Sequence, residues 1–146
     1  MKKLILFSAL ALICASAFSQ GFKKAARVEK IGTYKMGNFH LYRYTADTMV
    51  VYSLTAKDQK YNIRKFLQVM LGTKEESISF LENAIETMDV MEVGDRFELG
   101  LPDDNYGFCT TLLGMKIFGI TVGNIGEWIC LEKPAAKNML KDLQAE

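Results

Sequence analysis

Histidine, proline and tryptophan are scarce in this chain: His40 is the only imidazole among 146 residues, with two prolines and one tryptophan. A single histidine excludes zinc sites built on several imidazoles and makes any histidine-assisted catalysis depend on one position. Charge of one sign is also lacking, since 18 lysines and arginines face 17 acids for a net +1. A balanced chain carries no electrostatic footprint for nucleic acid. The glycines at 114, 119, 123 and 126 spell neither G-x-x-x-x-G-K-[ST] nor G-x-G-x-x-G, so the phosphate-cradling loops of nucleotide sites are absent. No serine lies in a G-x-S-x-G setting, which removes the hydrolase elbow. In Asp103-Asp104-Asn105 the acids are adjacent and no glutamate closes the loop, so the run reads as a turn and not a calcium loop. No cofactor and no metal site is expected.

What is present begins with an export signal. Lys2 and Lys3 precede an apolar run over 4–14, and small residues follow over 15–19. That is the basic, apolar, small-residue order of a secretory signal peptide. A helix of about eleven residues rises only about 16 Å, roughly half of a bilayer's hydrocarbon core. Small residues at the first and third positions before a cut fit cleavage after Ala17 or after Ser19. The second is favoured because Gln20-Gly21 opens a polar, basic stretch. Cys14 follows Ile13, a poor setting for a lipid-acceptor cysteine, and reads as one more apolar residue of the run. The expectation is a signal peptide at 1–19, export by the Sec pathway to the periplasm or exterior, and a single domain over 20–146. No transmembrane segment is expected in the mature chain. Loss of Lys2 and Lys3 takes the net charge from +1 to −1.

After cleavage Cys109 and Cys130 remain, both in apolar, strand-like surroundings. An even count in an exported protein predicts a disulfide between them, stabilising by roughly 3 kcal/mol for a loop of about twenty residues. The alternative is two separately buried thiols.

Hydrophobic periodicity predicts an α+β fold, with antiparallel sheet of about six to eight strands, one central helix over about 74–89 and a short C-terminal helix over about 134–144. Residues 28–36 form a first strand. Residues 39–45 and 48–54 form a hairpin about Ala46-Asp47, placing His40, Tyr42 and Tyr44 on one face and Phe39, Leu41 and Arg43 on the aliphatic, core face. A long strand runs over 61–71. Gly72-Thr73-Lys74-Glu75-Glu76 is a capping box, and the helix it opens aligns Ser77, Leu81, Ala84, Ile85 and Met88. Strand follows at 90–93 and 96–101, and about three strands between 106 and 131 with a turn at Gly123-Asn124. Pro134 opens the last helix. Each half is thus a set of strands followed by a helix.

If no helix covers the face carrying His40, Tyr42 and Tyr44, that face is the candidate contact surface. The leading expectation is a non-enzymatic binding or interaction module for a protein or small ligand, with no nucleic-acid partner. Two alternatives stand beside it. One is a small secreted hydrolase using Asp95, Glu98, Asp103 and Asp104 or a Cys/His pair. The other is a structural subunit of an envelope complex, paired through an edge strand.

Overall fold

The computed structural model describes residues 26–36, 38–59, 65–101, 105–123 and 126–146. The expected signal peptide and its cleavage points, the carboxylates Asp103 and Asp104, and Asn124 lie outside them. The elements are β1 (Arg27–Tyr34), β2 (Phe39–Ala46), β3 (Met49–Lys57), β4 (Phe66–Gly72), α1 (Lys74–Val90), β5 (Arg96–Glu98), β6 (Tyr106–Leu112), β7 (Met115–Val122), β8 (Glu127–Leu131) and α2 (Lys133–Ala145). The fold is α+β, as the periodicity predicts. Two antiparallel four-stranded meanders, β1-β2-β3-β4 (sheet A) and β5-β6-β7-β8 (sheet B), are each followed by a helix.

The β2–β3 hairpin turns one residue later than expected. Ala46 pairs with Met49, so the two turn residues are Asp47 and Thr48, and Asp47 takes φ 51°. Aspartate accepts the left-handed region more readily than alanine. Moving the turn by one residue shifts each cross-strand partner by two, from Tyr44 opposite Met49 to Tyr44 opposite Val51. Because side chains alternate with period two, the expected faces survive the shift. Phe39, Leu41, Tyr52, Leu54 and Ala56 are buried on the inner face.

The start of α1 follows from three residues. The Thr73 side chain accepts from the Glu76 amide at 3.3 Å, and the Glu76 carboxylate accepts from the Thr73 amide at 2.7 Å. Gly72 makes room for this box: its φ is +89°, and a Cβ there would lie 2.2 Å from Glu76 Oε2. The expected strand at 90–93 is absent. Val90 is the last residue of α1, and Glu92 to Asp95 form a turn in which the Asp95 carboxylate accepts from the Glu92 amide at 2.7 Å. That side chain caps the segment locally and so competes with strand pairing.

Phe80, Leu81 and Ala84 of α1, and Ala135, Ala136, Met139 and Leu143 of α2, join Leu41, Leu54 and Val69 of sheet A and Phe118, Ile120 and Ile129 of sheet B in one apolar cluster. The chain halves therefore share a core. They are tied at their edges as well: the Gln59 amide donates to the Trp128 carbonyl at 3.0 Å, and Lys65 pairs with Glu127. Although α2 follows sheet B in sequence, it is fastened to sheet A. Tyr34 Oη donates to Asp142 Oδ2 at 2.7 Å, and Tyr52 Oη donates to Glu146 Oε2 at 2.9 Å. Arg43 donates to Glu29 at 2.7 Å and to Glu146 at 3.2 Å, while its Nε is buried without a partner among the described residues. Among those residues no helix is long and apolar enough to cross a membrane.

Candidate functional site

Tyr34, Arg43 and Tyr52 reach α2 from the inner face of sheet A, and both helices bury their apolar stripes on that side. Among the described residues no helix lies across the outer face. Three cross-strand rows build it. Thr33, His40, Thr55 and Gln68 form one; Lys30, Tyr42, Ser53 and Met70 the next; Val28, Tyr44 and Val51 the third. The sequence expectation that His40, Tyr42 and Tyr44 share a face holds in this register.

The face is held in place by its own side chains. His40 Nδ1 lies 3.1 Å from Thr33 Oγ1. Its ring centroid is 5.4 Å from that of Phe66 and 6.1 Å from that of Tyr42. Lys30 Nζ sits 5.7 Å from the centroid of Tyr42, within cation–π range. Gln68 Nε2 donates to Tyr44 Oη at 2.9 Å and to Ser53 Oγ at 3.0 Å, which buries Ser53 under the amide. Burial, and secondarily the Lys30 ammonium, hold His40 below the usual imidazole range. The imidazole is therefore a neutral member of an aromatic surface at neutral pH, and with Nδ1 engaged by Thr33 it leaves Nε2 to meet a partner.

Sheet B carries a second aromatic face that periodicity alone does not assemble. Arg96, Phe108, Gly119 and Cys130 share a row, and Trp128 stands opposite Thr121 in the adjacent one. Phe108 meets Trp128 edge-on at 5.4 Å and Tyr106 at 6.3 Å, and the Arg96 guanidinium lies 5.3 Å from the Tyr106 centroid. A Cβ on Gly119 would come within 2.3 Å of the Phe108 ring, so glycine lets that ring lie flat across β7. A shallow cleft of about 480 Å³ opens beside Tyr106, Phe108 and Trp128. The signal available in sequence was the aromatic alternation of Tyr106 and Phe108; what it lacked was the register that sets Gly119 under Phe108.

The disulfide expected between Cys109 and Cys130 is not formed; both are free and buried. Cys109 pairs with Phe118, which pairs with Leu131, whereas Cys130 pairs with Gly119. The two thiols therefore stand on opposite faces with β7 between them. Two strand spacings amount to about 9.5 Å, beyond the reach of a disulfide. Burial, followed by the nearby Glu132 carboxylate, pushes the Cys130 thiol up to about 11, so it is a neutral apolar group and not a nucleophile.

The other chemistry-bearing residues are dispersed. His40 has its contacts with Thr33, Tyr42 and Phe66, while Cys109 belongs to the apolar core, so no Cys/His pair is assembled. Asp95 is engaged with the Glu92 amide, and Glu98 stands exposed on β5 opposite Tyr106. Among the described residues no three histidine, cysteine or acidic side chains converge as a metal site. Compared with protein families, with curated proteins and with solved structures, the chain finds no match.

Proposed function

We propose that the protein is a non-enzymatic binding module of the bacterial periplasm or exterior, and that it engages a protein or small ligand through the outer face of sheet A. The observation that carries this reading is the aromatic face itself, crossed by no helix among the described residues, with His40, Tyr42, Tyr44 and Phe66 backed by Lys30 and Gln68. Such a face offers apolar area bracketed by fixed donors and acceptors, which suits recognition more than bond cleavage. Export through the N-terminal segment 1–19 places the module outside the cytoplasm.

The hydrolase alternative gains no support from the geometry, since Asp95 serves a turn and His40 has its contacts with Thr33, Tyr42 and Phe66. The subunit alternative is disfavoured by the β1 edge, which carries Arg27, Glu29 and Lys30 and shifts register between Lys30 and Gly32. Charges and a bulge are the devices that keep an edge from pairing.

The test is co-purification of the mature protein, residues 20–146, from its native envelope, beside a His40→Ala, Tyr42→Ala, Tyr44→Ala variant whose circular dichroism is unchanged. A partner retained by the wild type and lost by the variant supports the reading. A partner retained equally by both removes this face as the contact surface.

A further inference from the structure

Apart from the two aromatic faces, apolar side chains and lysines gather around a cleft of about 510 Å³. That volume lies in the range of small-molecule sites. Met88 and Met91 at the end of α1 line it, together with Leu112 and Met115 of the β6–β7 hairpin. Unbranched thioethers reshape themselves around a flexible chain more easily than branched side chains do. Lys35, Lys57, Lys116 and Lys133 also line the cleft, against Glu132 as the one acid lining it among the described residues. Lys35 pairs with Glu132, Lys133 pairs with Asp89, and Lys116 Nζ donates to the Met91 carbonyl at 3.2 Å. The balance remains positive, so an anion is favoured and a cation is not.

The bordering turns add an independent observation. Leu112 pairs with Met115, leaving Leu113 and Gly114 as a two-residue turn with φ of 51° and 79°. Asn-Gly or Asp-Gly is the usual choice there, and leucine in the left-handed region costs about 1–2 kcal/mol. Leu113 is nevertheless 91% exposed. Across the cleft, Lys35 and Met36 take φ of 45° and 54°, and Met36 is fully exposed. Neither apolar side chain contributes to the core, and each sits where a polar residue would be cheaper for folding. A ligand or surface with its own apolar phase accounts for both.

We infer that this cleft binds an anionic amphiphile, its acyl chain lying along Met88, Met91, Leu112 and Met115 and its acid group meeting the lysine rim. A protein partner fits less well, because protein interfaces are depleted in lysine, whereas four lysines line this cleft. The site is separate from the sheet A surface, since none of His40, Tyr42 and Tyr44 lines it. Two sources supply such chemistry: a free fatty acid or an anionic lipid within a bilayer. Lysines beside apolar turns suit both.

The experiment uses the mature protein in two binding measurements. Displacement of a fluorescent acyl probe is measured with decanoate and with the neutral 1-decanol, and co-sedimentation with vesicles of phosphatidylglycerol and of phosphatidylcholine. Decanoate is expected to bind at least tenfold more tightly than decanol, and a Lys57→Glu, Lys116→Glu variant is expected to erase that preference. Binding to phosphatidylglycerol vesicles that falls at least tenfold in Met36→Ser, Leu113→Asn, with decanoate binding unchanged, identifies the bilayer as the source. Decanoate binding without vesicle binding identifies the free acid. Leu113→Asn relieves the turn, so its melting temperature is expected to hold or rise, and loss of binding cannot be ascribed to unfolding. Binding of neither decanoate nor phosphatidylglycerol vesicles, equal affinity for decanoate and decanol, or indifference to the charge reversal would overturn the inference.

Discussion

The two halves of the chain are built in the same order, a four-stranded meander and then a helix, yet they treat their outer faces differently. On sheet A the aromatic side chains are fixed by polar contacts: Thr33 beside His40, Gln68 beneath Tyr44. On sheet B they are fixed by packing, with Phe108 laid over Gly119 and met edge-on by Trp128. The first arrangement leaves hydrogen-bonding groups available to a partner, while the second is a mostly apolar platform. The helices differ too. The Thr73 capping box starts α1, whereas α2 has no side-chain cap and opens on Lys133 and Pro134. Its far end is instead fastened to the other half through Tyr34, Tyr52 and Arg43. Similar local construction thus yields halves that depend on each other.

The largest expected effect tests that dependence. Phe118 on β7 is buried in the cluster shared by both sheets and both helices, and Phe118→Ala should cost about 3–5 kcal/mol. Because the core is common, Trp128 fluorescence and far-UV circular dichroism should report one coincident denaturant transition in wild type and variant. Separate transitions would mean that the halves unfold independently. Next, Gly119→Ala should cost about 1–3 kcal/mol by driving a methyl into the Phe108 ring. Its signature is a changed Trp128 emission in the folded state, and unchanged emission would dissolve the contrast drawn between the two faces.

Tyr34→Phe removes the bond to Asp142 that pins α2 to sheet A, at an expected cost of about 2 kcal/mol for a hydrogen bond to a charged group. Hydrogen exchange should then quicken in the last turns of α2 ahead of β2 and β3. A uniform rise across the chain would argue against a local staple. The smallest effect concerns pH. His40 is held below its ordinary 6.5 by burial and then by Lys30, so in the interval between that lowered value and 6.5 the unfolded chain binds more protons. Stability should therefore fall as pH drops below about 6.5, and His40→Gln should flatten that slope. Glu29 acts in a lower window, because the Arg43 guanidinium holds it below the ordinary 4.5. A melting temperature with the same slope from pH 7 to 5 in both proteins would show that His40 is not in the environment described.

Much of the fold was legible from spacing. The two-residue alternation separated Leu41 from His40 and Tyr42 although the hairpin turned at Asp47 rather than one residue earlier, because parity tolerates a shift of two. Thr73 and Glu76 announced α1 through purely local hydrogen bonds. The 90–93 segment was misread because a short apolar run carries no information about its pairing partner, and Asp95 supplied a competing local bond. Of the candidate site, His40, Tyr42 and Tyr44 were legible as one face; the platform of Tyr106, Phe108 and Trp128 was not, since its members come from strands whose register no local signal records. The disulfide failed for the same reason: two cysteines in strand-like surroundings say nothing of the strand that lies between them.

Cap chemistry, the grouping of side chains by face and, outside the 90–93 segment, the element types are consequences of local geometry, and the sequence alone determined them for this protein. Which face each helix covers, where the two thiols stand and how α2 crosses to the first sheet were decided only by the tertiary structure. Periodicity states which side chains travel together. It cannot state which neighbour, brought from forty or a hundred residues away, will bury them.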